Sequence, residues 1–438
     1  MGRKLRRIPL NVLVNGKLVG KLIKATTGAI EFTYDKEWLG WEHRFPVSLS
    51  LKLRENTYKG EEVAAVFENL LPDNDALRQR VAERVGARST GAYDLLSKIG
   101  HDCVGAFQFL TDEAMEAADL TPGLSEGRPI GELEIETIIK DLSRAPLGMG
   151  EDESFRISIA GAQEKTALLW KDGQWHKPIG TSATTHILKK QIGQLPNGID
   201  LSNSIENEFY CLKLLENFGL EVNEAEIKTF GDTKALVIER FDRQWTKDGR
   251  LLRLPQEDCC QALSVPPALK YQDQGGPGIM NIVGLLKGAD EPEKDIKAFF
   301  QSQILFWLIG ATDGHAKNFS VFNGIGGGYR MTPLYDVMTA QPSADEEIIS
   351  RKQFRLAMCV GDKNRYRFDE IVGRHLLQSA DKADISQALS EEAVQEILER
   401  ANGAMEALEK ALPKNFPEEI HASVSTALKK RLRTLEIL

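Results

Sequence analysis

The residues most suited to chemistry lie in one stretch, Ile309-Gly310-Ala311-Thr312-Asp313-Gly314-His315-Ala316-Lys317-Asn318-Phe319-Ser320-Val321, where Asp313 and Asn318 form the pattern Asp-x-x-x-x-Asn. In phosphoryl-transfer enzymes built like protein kinases, that spacing places an Asp to accept a hydroxyl proton and an Asn to hold a magnesium ion. Downstream, Pro333-Leu334-Tyr335 leads into Asp336. A strand expected over residues 329–335 would deliver Asp336 where a second magnesium-holding carboxylate is needed. Taken singly, neither signal is diagnostic. Loop Asp and Asn bond their own backbone, and an Asp after an apolar pair commonly caps a helix.

Such a polar stretch has to be held by the elements on either side. Ile296, Phe299, Phe300, Ile304, Trp307 and Leu308 recur at helical spacing, which predicts a buried helix over residues 293–308 closed by Gly310. Phe319-Ser320-Val321-Phe322 has the aromatic and β-branched content of a short strand. Upstream, residues 155–159 alternate as a strand, Ala160-Gly161-Ala162-Gln163-Glu164-Lys165 interrupts it, and residues 166–170 resume. Loops of small residues let backbone N–H groups cradle a phosphate; with one glycine, a plain hairpin reads the same way.

A strand over residues 185–189 ends in Lys189, with Lys190 beside it. In a helix expected over residues 204–218, Glu208 shares the apolar face of Ile205, Phe209, Leu212 and Leu215. An inward carboxylate is costly unless paired, and Lys189 is the partner the order suggests. Alternatively Glu208 sits at the stripe's edge and reaches water. A hairpin over residues 226–239, turning at Gly231-Asp232, leaves through Glu239, Arg240 and Phe241. Strand, loop, strand, strand with Lys, helix with Glu, strand, strand is the order of the small lobe of a protein kinase, and the Asp-x-x-x-x-Asn loop follows it.

The 438 residues suit two or three compact units. We expect an N-terminal α/β domain over residues 1–112, a linker and connecting helix over 113–150, a kinase-like small lobe over 151–241 and a mostly helical large lobe over 242–438. The first domain opens with a hairpin at Asn15-Gly16. Strands at 29–34, 47–53 and 104–110 and helices at 62–70 and 74–85 follow. A net charge of -9 and a pI of about 5.5 argue against a surface dominated by attraction to nucleic acid or membrane. Basic residues at the ends (Arg3, Lys4, Arg6, Arg7; Lys429, Lys430, Arg431, Arg433) read as solvated, with a local phosphate-backbone contact left open. Five scattered cysteines without Cys-x-x-Cys predict reduced thiols and no zinc site. No apolar run has membrane length and no secretory core is present, so a cytoplasmic protein without a membrane partner is expected.

With Ser158-Ile159-Ala160-Gly161-Ala162-Gln163-Glu164-Lys165-Thr166-Ala167, Leu254-Pro255-Gln256-Glu257-Asp258, residues 311–320 and Pro333-Leu334-Tyr335-Asp336 in hand, the chain resembles the HipA family. These are the serine/threonine kinase toxins of bacterial HipBA toxin–antitoxin modules. The resemblance runs from the first hairpin to the C-terminal helices. It implies a mixed α/β (α+β), protein-kinase-like two-lobed fold with an extra N-terminal domain, and ATP and Mg²⁺ as cofactors. It also implies the helix-turn-helix antitoxin HipB as partner, operator DNA bound through the HipA–HipB complex as co-repressor, and a protein substrate in translation such as glutamyl-tRNA synthetase, with growth arrest and persistence as the outcome.

Carried onto this sequence, Asp313 matches the catalytic base, and Asn318 and Asp336 match the magnesium ligands. Lys189 matches the lysine on the nucleotide phosphates; Ala160, Gly161, Ala162, Gln163, Glu164 and Lys165 match the phosphate-side loop, which lacks the three glycines of ordinary protein kinases. Glu239, Arg240 and Phe241 fall where the lobe connection holds the adenine through backbone groups. His315, Ala316, Lys317 and Tyr335 flank the nucleotide. Ser158 matches the serine that the family autophosphorylates to switch itself off; a dianion there would repel the ATP phosphates or displace the loop. Two rivals remain. A small-molecule kinase would keep Asp313, Asn318 and Asp336 but form no phosphoprotein, whereas a non-catalytic co-repressor would have no use for a magnesium site.

Overall fold

The computed structural model describes residues 8–149, 157–161, 163–194 and 200–435, and statements of number or absence refer to these described residues. Strands and helices are both abundant, as the mixed α/β reading expects. The chain divides into two compact units: Met1–Lys190 with Lys228–Ala268 and Phe322–Gly328, and Gln191–Ile227 with Leu269–Val321 and Tyr329–Leu438. The N-terminal strands therefore share a unit with most of the expected small lobe, while the helix Ser204–Asn217 belongs to the other.

In the first unit, Asn15 and Gly16 both take positive φ, 46° and 81°. A two-residue I′-type turn requires this, and it pairs Val14 with Lys17. The hairpin sits within a sheet ordered Tyr58–Lys59, Ile30–Tyr34, Lys17–Lys24, Pro9–Val14, Phe107–Leu110. Helices Glu61–Glu68, Asp75–Val85 and Ala92–Ile99 bury Phe67, Val81 and Leu95 in one core with Val12, Leu22 and Phe32. Asp75–Val85 starts where Asn74 accepts from Leu77 N and stops at Gly86, φ 64°, the expected cap and stop.

Two expectations need correction here. Residues 47–53 form no strand but a turn closed by a Ser48–Leu51 bridge. The segment is drawn inward by a buried carboxylate: Ser48 Oγ and Leu49 N donate to Glu257, the latter at 2.8 Å, and Ser50 Oγ donates to Gln261 O at 2.8 Å. The stretch expected as a linker and connecting helix over 113–150 holds that helix, and its linker part is structured too. It carries the end of the helix Asp112–Ala117, the strand Gly127–Pro129 and the helix Glu132–Lys140. Gly127–Pro129 is the edge of a second sheet, followed in order by Gln174–Pro178, Lys165–Lys171, His186–Lys190 and Thr233–Glu239, with residues 228–230 at the far side. Ile135 and Ile139 of the helix pack on Leu168, Leu188 and Val237 of that sheet, so apolar burial turns the connection into part of the fold.

A buried charge cluster stands where this sheet ends. Asp102 lies on a short strand, Asp102–Cys103, parallel to Ile157–Ser158. Its carboxylate meets Arg240 at 3.2 Å, Arg243 at 2.8 Å and Arg253 at 3.2 Å. Asp242 takes Arg240 at 2.8 Å and Arg243 at 3.1 Å, and accepts from Gly105 N at 2.6 Å. Burial alone would raise Asp102, but the three guanidiniums hold it well below the usual carboxylate range, while desolvation lowers Arg253 to about 10.

The second unit is built on the helix Pro292–Ile309, buried on nearly every side and close to the expected 293–308. Proline opens it and Gly310, φ 78°, closes it, as position-specific φ demands. Ser204–Asn217, Ile279–Leu286, Gly373–Lys382, Gln387–Ala411 and Glu418–Leu435 are its other main helices. The stretch expected to be mostly helical also holds a hairpin, Arg355–Val360 with Arg365–Arg367. The strand expected over 329–335 ends early, as Tyr329–Met331. No helix among the described residues is long and apolar enough to cross a membrane, and the five cysteines are free thiols.

Asp102→Ala takes the carboxylate from buried Arg253, leaves Arg240 and Arg243 to share Asp242, and costs about 3–5 kcal/mol by denaturant unfolding, a loss that persists at high salt because counter-ions do not reach the cluster. Glu257, also hydrogen-bonded by Asn323 Nδ2 at 3.0 Å, is pushed by burial from 4.5 up to about 7. Its folded form holds the proton longer than the unfolded chain, so this stabilisation is complete below about 4.5 and lost as pH rises through about 7. Melting temperature against pH should be flatter over that window in Glu257→Gln.

Candidate active site

The helix Pro292–Ile309 delivers its C-terminus directly into the candidate loop. Phe319 packs against Phe299 and Phe306, with ring centroids 5.0 and 5.9 Å away, and so ties the far end of the loop to the helix. Gly314 lies over Phe306, where an added Cβ would come within 2.5 Å of the ring; only glycine lets the backbone pass that close. Arg431 closes the helix end by donating to Leu308 O at 2.9 Å and Gln341 Oε1 at 2.8 Å. Its guanidinium stands 4.9 Å from the centre of the Phe368 ring, and burial lowers it to about 10. The expectation of solvated basic ends holds for exposed Lys429, Lys430 and Arg433 but not for Arg431. Arg3, Lys4, Arg6 and Arg7 lie outside the described residues.

Within this unit Asp313 and Asn318, singled out by spacing, and Asp336, expected at a strand end, come together. Asn318 Nδ2 donates to Asp313 O at 2.8 Å and reaches Asp336 O at 3.5 Å. One amide thus ties the candidate base to the segment that carries the second carboxylate. Asp313, Gly314, Asn318 and Asp336 line a common recess with Phe306, Ala311, Val337 and Met338. Asp336 takes φ 57°, a left-handed conformation that costs a non-glycine residue energy and that functional sites retain. The segment is held on both sides. Leu334 N donates to Glu221 O at 2.9 Å, and Asn207 exchanges two 2.8 Å hydrogen bonds with the backbone of Thr339.

His315, Ala316 and Lys317 are buried, and Tyr335 donates to Lys317 O at 2.9 Å. The nitrogen of the Asn318 amide is committed, which orients its oxygen, and Asp336 offers a carboxylate. These are hard oxygen donors of the kind magnesium takes, one or two from protein with waters and substrate phosphates completing the shell, so the two residues fit that ion. Sequence reasoning missed Asn207 and Tyr271, whose hydroxyl donates to Asp313 Oδ1; neither belongs to a local motif, and no periodicity points to them.

The remaining candidates lie in the first unit, apart from Glu208. Ser158 is fully buried and donates to Leu70 O at 2.8 Å. Gly161 takes φ 105°, and Asp73 N donates to its carbonyl at 3.2 Å. Gln163 donates to Lys190 O at 2.7 Å, and Glu164 lies 3.4 Å from Arg80 and 3.9 Å from Lys190. Ala160 precedes these, and Ala162 falls outside the described residues. Lys165 begins the strand Lys165–Lys171 and is directly paired with Lys189; both are buried. Glu239 pairs with His186 and Phe241 stands edge-on to Phe322 at 5.6 Å. Arg240 has its N–H donated to Thr185 O at 2.8 Å and its side chain inside the charge cluster. Glu208, buried, is in the second unit and Lys189, also buried, in the first.

Comparison with known proteins matches two family models: the HipA-like C-terminal domain over residues 157–408 and the HipA N-terminal domain over residues 10–110. Y4mE of Sinorhizobium fredii, provisionally named a kinase, is 34% identical over 82% of this chain and 84% of its own. The serine/threonine-protein kinase toxin HipA of Shewanella oneidensis is 28% identical over 82% of this chain and 80% of its own. Among solved structures, the HipA, HipB and operator DNA complex of Shewanella oneidensis matches with a TM-score of 0.77 at 25% identity, covering 98% of this chain and 97% of that one.

The Asn207 clamp makes one expectation measurable. Asn207→Ala removes both bonds to Thr339 and leaves its backbone groups unpaired, at a cost of roughly 1–3 kcal/mol. Amide exchange should quicken around residues 334–341 ahead of the rest of the second unit.

Proposed function

The chain belongs to the HipA family, and on that premise we propose that it is an ATP-dependent serine/threonine protein kinase, the toxin of a toxin–antitoxin module. The single observation that carries the proposal is the gathering of Asp313, Asn318 and Asp336 around one amide in the second unit. In this reading Asp313 accepts the proton of an acceptor hydroxyl as its oxygen bonds to the γ-phosphorus and the bond to the β–γ bridging oxygen breaks, releasing ADP. Asn318 and Asp336 would hold Mg²⁺, which supplies charge neutralisation on the phosphates.

Lys165 and Lys189 face each other across neighbouring strands. Two ammonium groups brought to neighbouring strands suit a polyphosphate, which supports Lys189 and the loop of Ala160 to Lys165 as phosphate contacts. Glu208 would steady Lys189. Glu239 and Phe241 would hold the adenine edge by their backbone; Arg240, with its N–H already used, contributes at most its carbonyl. His315 to Lys317 and Tyr335 would border the nucleotide.

Autophosphorylation of Ser158 is proposed as the switch that turns the kinase off. Its hydroxyl is buried on Leu70, so a phosphate added there could not return without burying a dianion. HipB and operator DNA, named in the matched Shewanella complex, are the proposed partners, in the cytoplasm. The proposed substrate is a protein of the translation machinery such as glutamyl-tRNA synthetase.

Incubation with γ-labelled ATP and Mg²⁺, followed by mass-spectrometric mapping, tests this. Label on Ser158 of the wild type and none on Asp313→Ala is expected. ATP consumed without any labelled protein would move the assignment to a small-molecule kinase.

A further inference from the structure

Tyr271 belongs to none of the motifs above, yet it touches the candidate base. Its hydroxyl donates a hydrogen bond to Asp313 Oδ1, and its ring stands edge-on to His315 with centroids 4.9 Å apart. His315 Nε2 lies 3.8 Å from the same oxygen. Asn318 Nδ2 meanwhile holds the backbone carbonyl of Asp313. The Asp313 side chain is 46% exposed, so packing alone does not set its rotamer, and the Tyr271 hydroxyl is the group that does.

The loop carrying Tyr271 is braced. Gln274 N and Gly276 N donate to Tyr271 O at 3.1 and 3.0 Å. Gln272 Oε1 accepts from Cys359 N at 2.8 Å, and Asp273 pairs with Arg355 at 2.7 Å, both partners on the strand Arg355–Val360. A Cβ on Gly276 would come within 1.9 Å of Leu269 O, and one on Gly278 within 2.3 Å of the Gln272 amide. The turn closes this tightly only with glycine at both positions. Such a loop holds its hydroxyl in one place instead of opening and shutting over the base.

The geometry points to Tyr271 as a positioning residue for phosphoryl transfer: its hydroxyl fixes the Asp313 carboxylate through Oδ1, so that Oδ2 receives the proton of the acceptor. This rests on the reading of Asp313 as the proton acceptor. A base must stand within hydrogen-bond reach of the proton it takes, and small misplacements of a reacting group cost one to two orders of magnitude in rate. A tyrosine that merely filled the acceptor's place would do the opposite and obstruct transfer.

The test uses the full-length chain as wild type, Tyr271→Phe and Asp313→Asn. Single-turnover transfer from γ-labelled ATP is followed both to the chain itself and to myelin basic protein, beside ATP affinity by fluorescence titration and melting temperature. Tyr271→Phe keeps the ring against His315 and removes only the hydroxyl. It should slow transfer roughly tenfold, with ATP affinity and melting temperature unchanged. Transfer at or above the wild-type rate overturns the proposal, and so does a loss that ATP affinity or melting temperature shares. An inactive Asp313→Asn beside an unimpaired Tyr271→Phe removes the tyrosine's role alone. A wild type that labels neither acceptor, or an Asp313→Asn as fast as wild type, fails the reading of Asp313 and the tyrosine's role with it.

Discussion

Two carboxylates and three guanidiniums, nearly sealed from water, are the constraint on which the first unit depends. Asp102, Asp242, Arg240, Arg243 and Arg253 come from a short strand, from the exit of the second sheet and from the strand that follows. Burying such charges costs several kcal/mol each unless geometry repays it. Here the repayment includes carbonyls: those of Cys103, Gly105 and Thr181 accept from the arginines. A cluster of this kind adds less to net stability than to uniqueness, because any shift of one strand leaves a buried charge unmatched. The strand of Ser158 runs beside Asp102 and is therefore placed by the same constraint.

The second unit solves a different problem, that of presenting polar groups at the end of an apolar helix. Gly310 turns the chain, Gly314 lets it cross Phe306, and Arg431 satisfies the terminal carbonyl at Leu308. Side-chain amides do the remaining work. Asn318 ties the loop to the Asp336 segment, and Asn207 ties that segment to the helix Ser204–Asn217. Amides suit this role because each offers a donor and an acceptor in a rigid plane and meets backbone groups without adding charge to a site that already holds carboxylates.

Much of this was legible beforehand where the controlling forces are local. The Asn15-Gly16 hairpin, the helix Asp75–Val85 with its cap and stop, and the bounds of Pro292–Ile309 follow from turn chemistry and apolar periodicity. The Asp-x-x-x-x-Asn spacing singled out Asp313 and Asn318, and the end of an expected strand Asp336; the three line one recess. Residues 47–53 illustrate the failure. Their alternation suits a strand, but Glu257, distant in sequence, captures Ser48 and Leu49 and bends the segment into a turn. Residues 113–128 read as a linker because Glu, Ala, Gly and Pro abound there, and the edge strand Gly127–Pro129 needs no strong pattern to form; the helix that follows was expected.

What the sequence determined by itself was the inventory of chemical groups and the elements that carry them, because spacing and periodicity act within a few turns of chain. Only the tertiary structure decided the partners. It drew Arg431, from a set of basic residues that reads as solvated, onto the carbonyl of Leu308, put the Arg240 side chain into an ion cluster, opposed Lys165 to Lys189, and laid the hydroxyl of Tyr271 on Asp313. Each of these contacts joins groups far apart in the chain, and their energies depend on burial and orientation that no local pattern encodes.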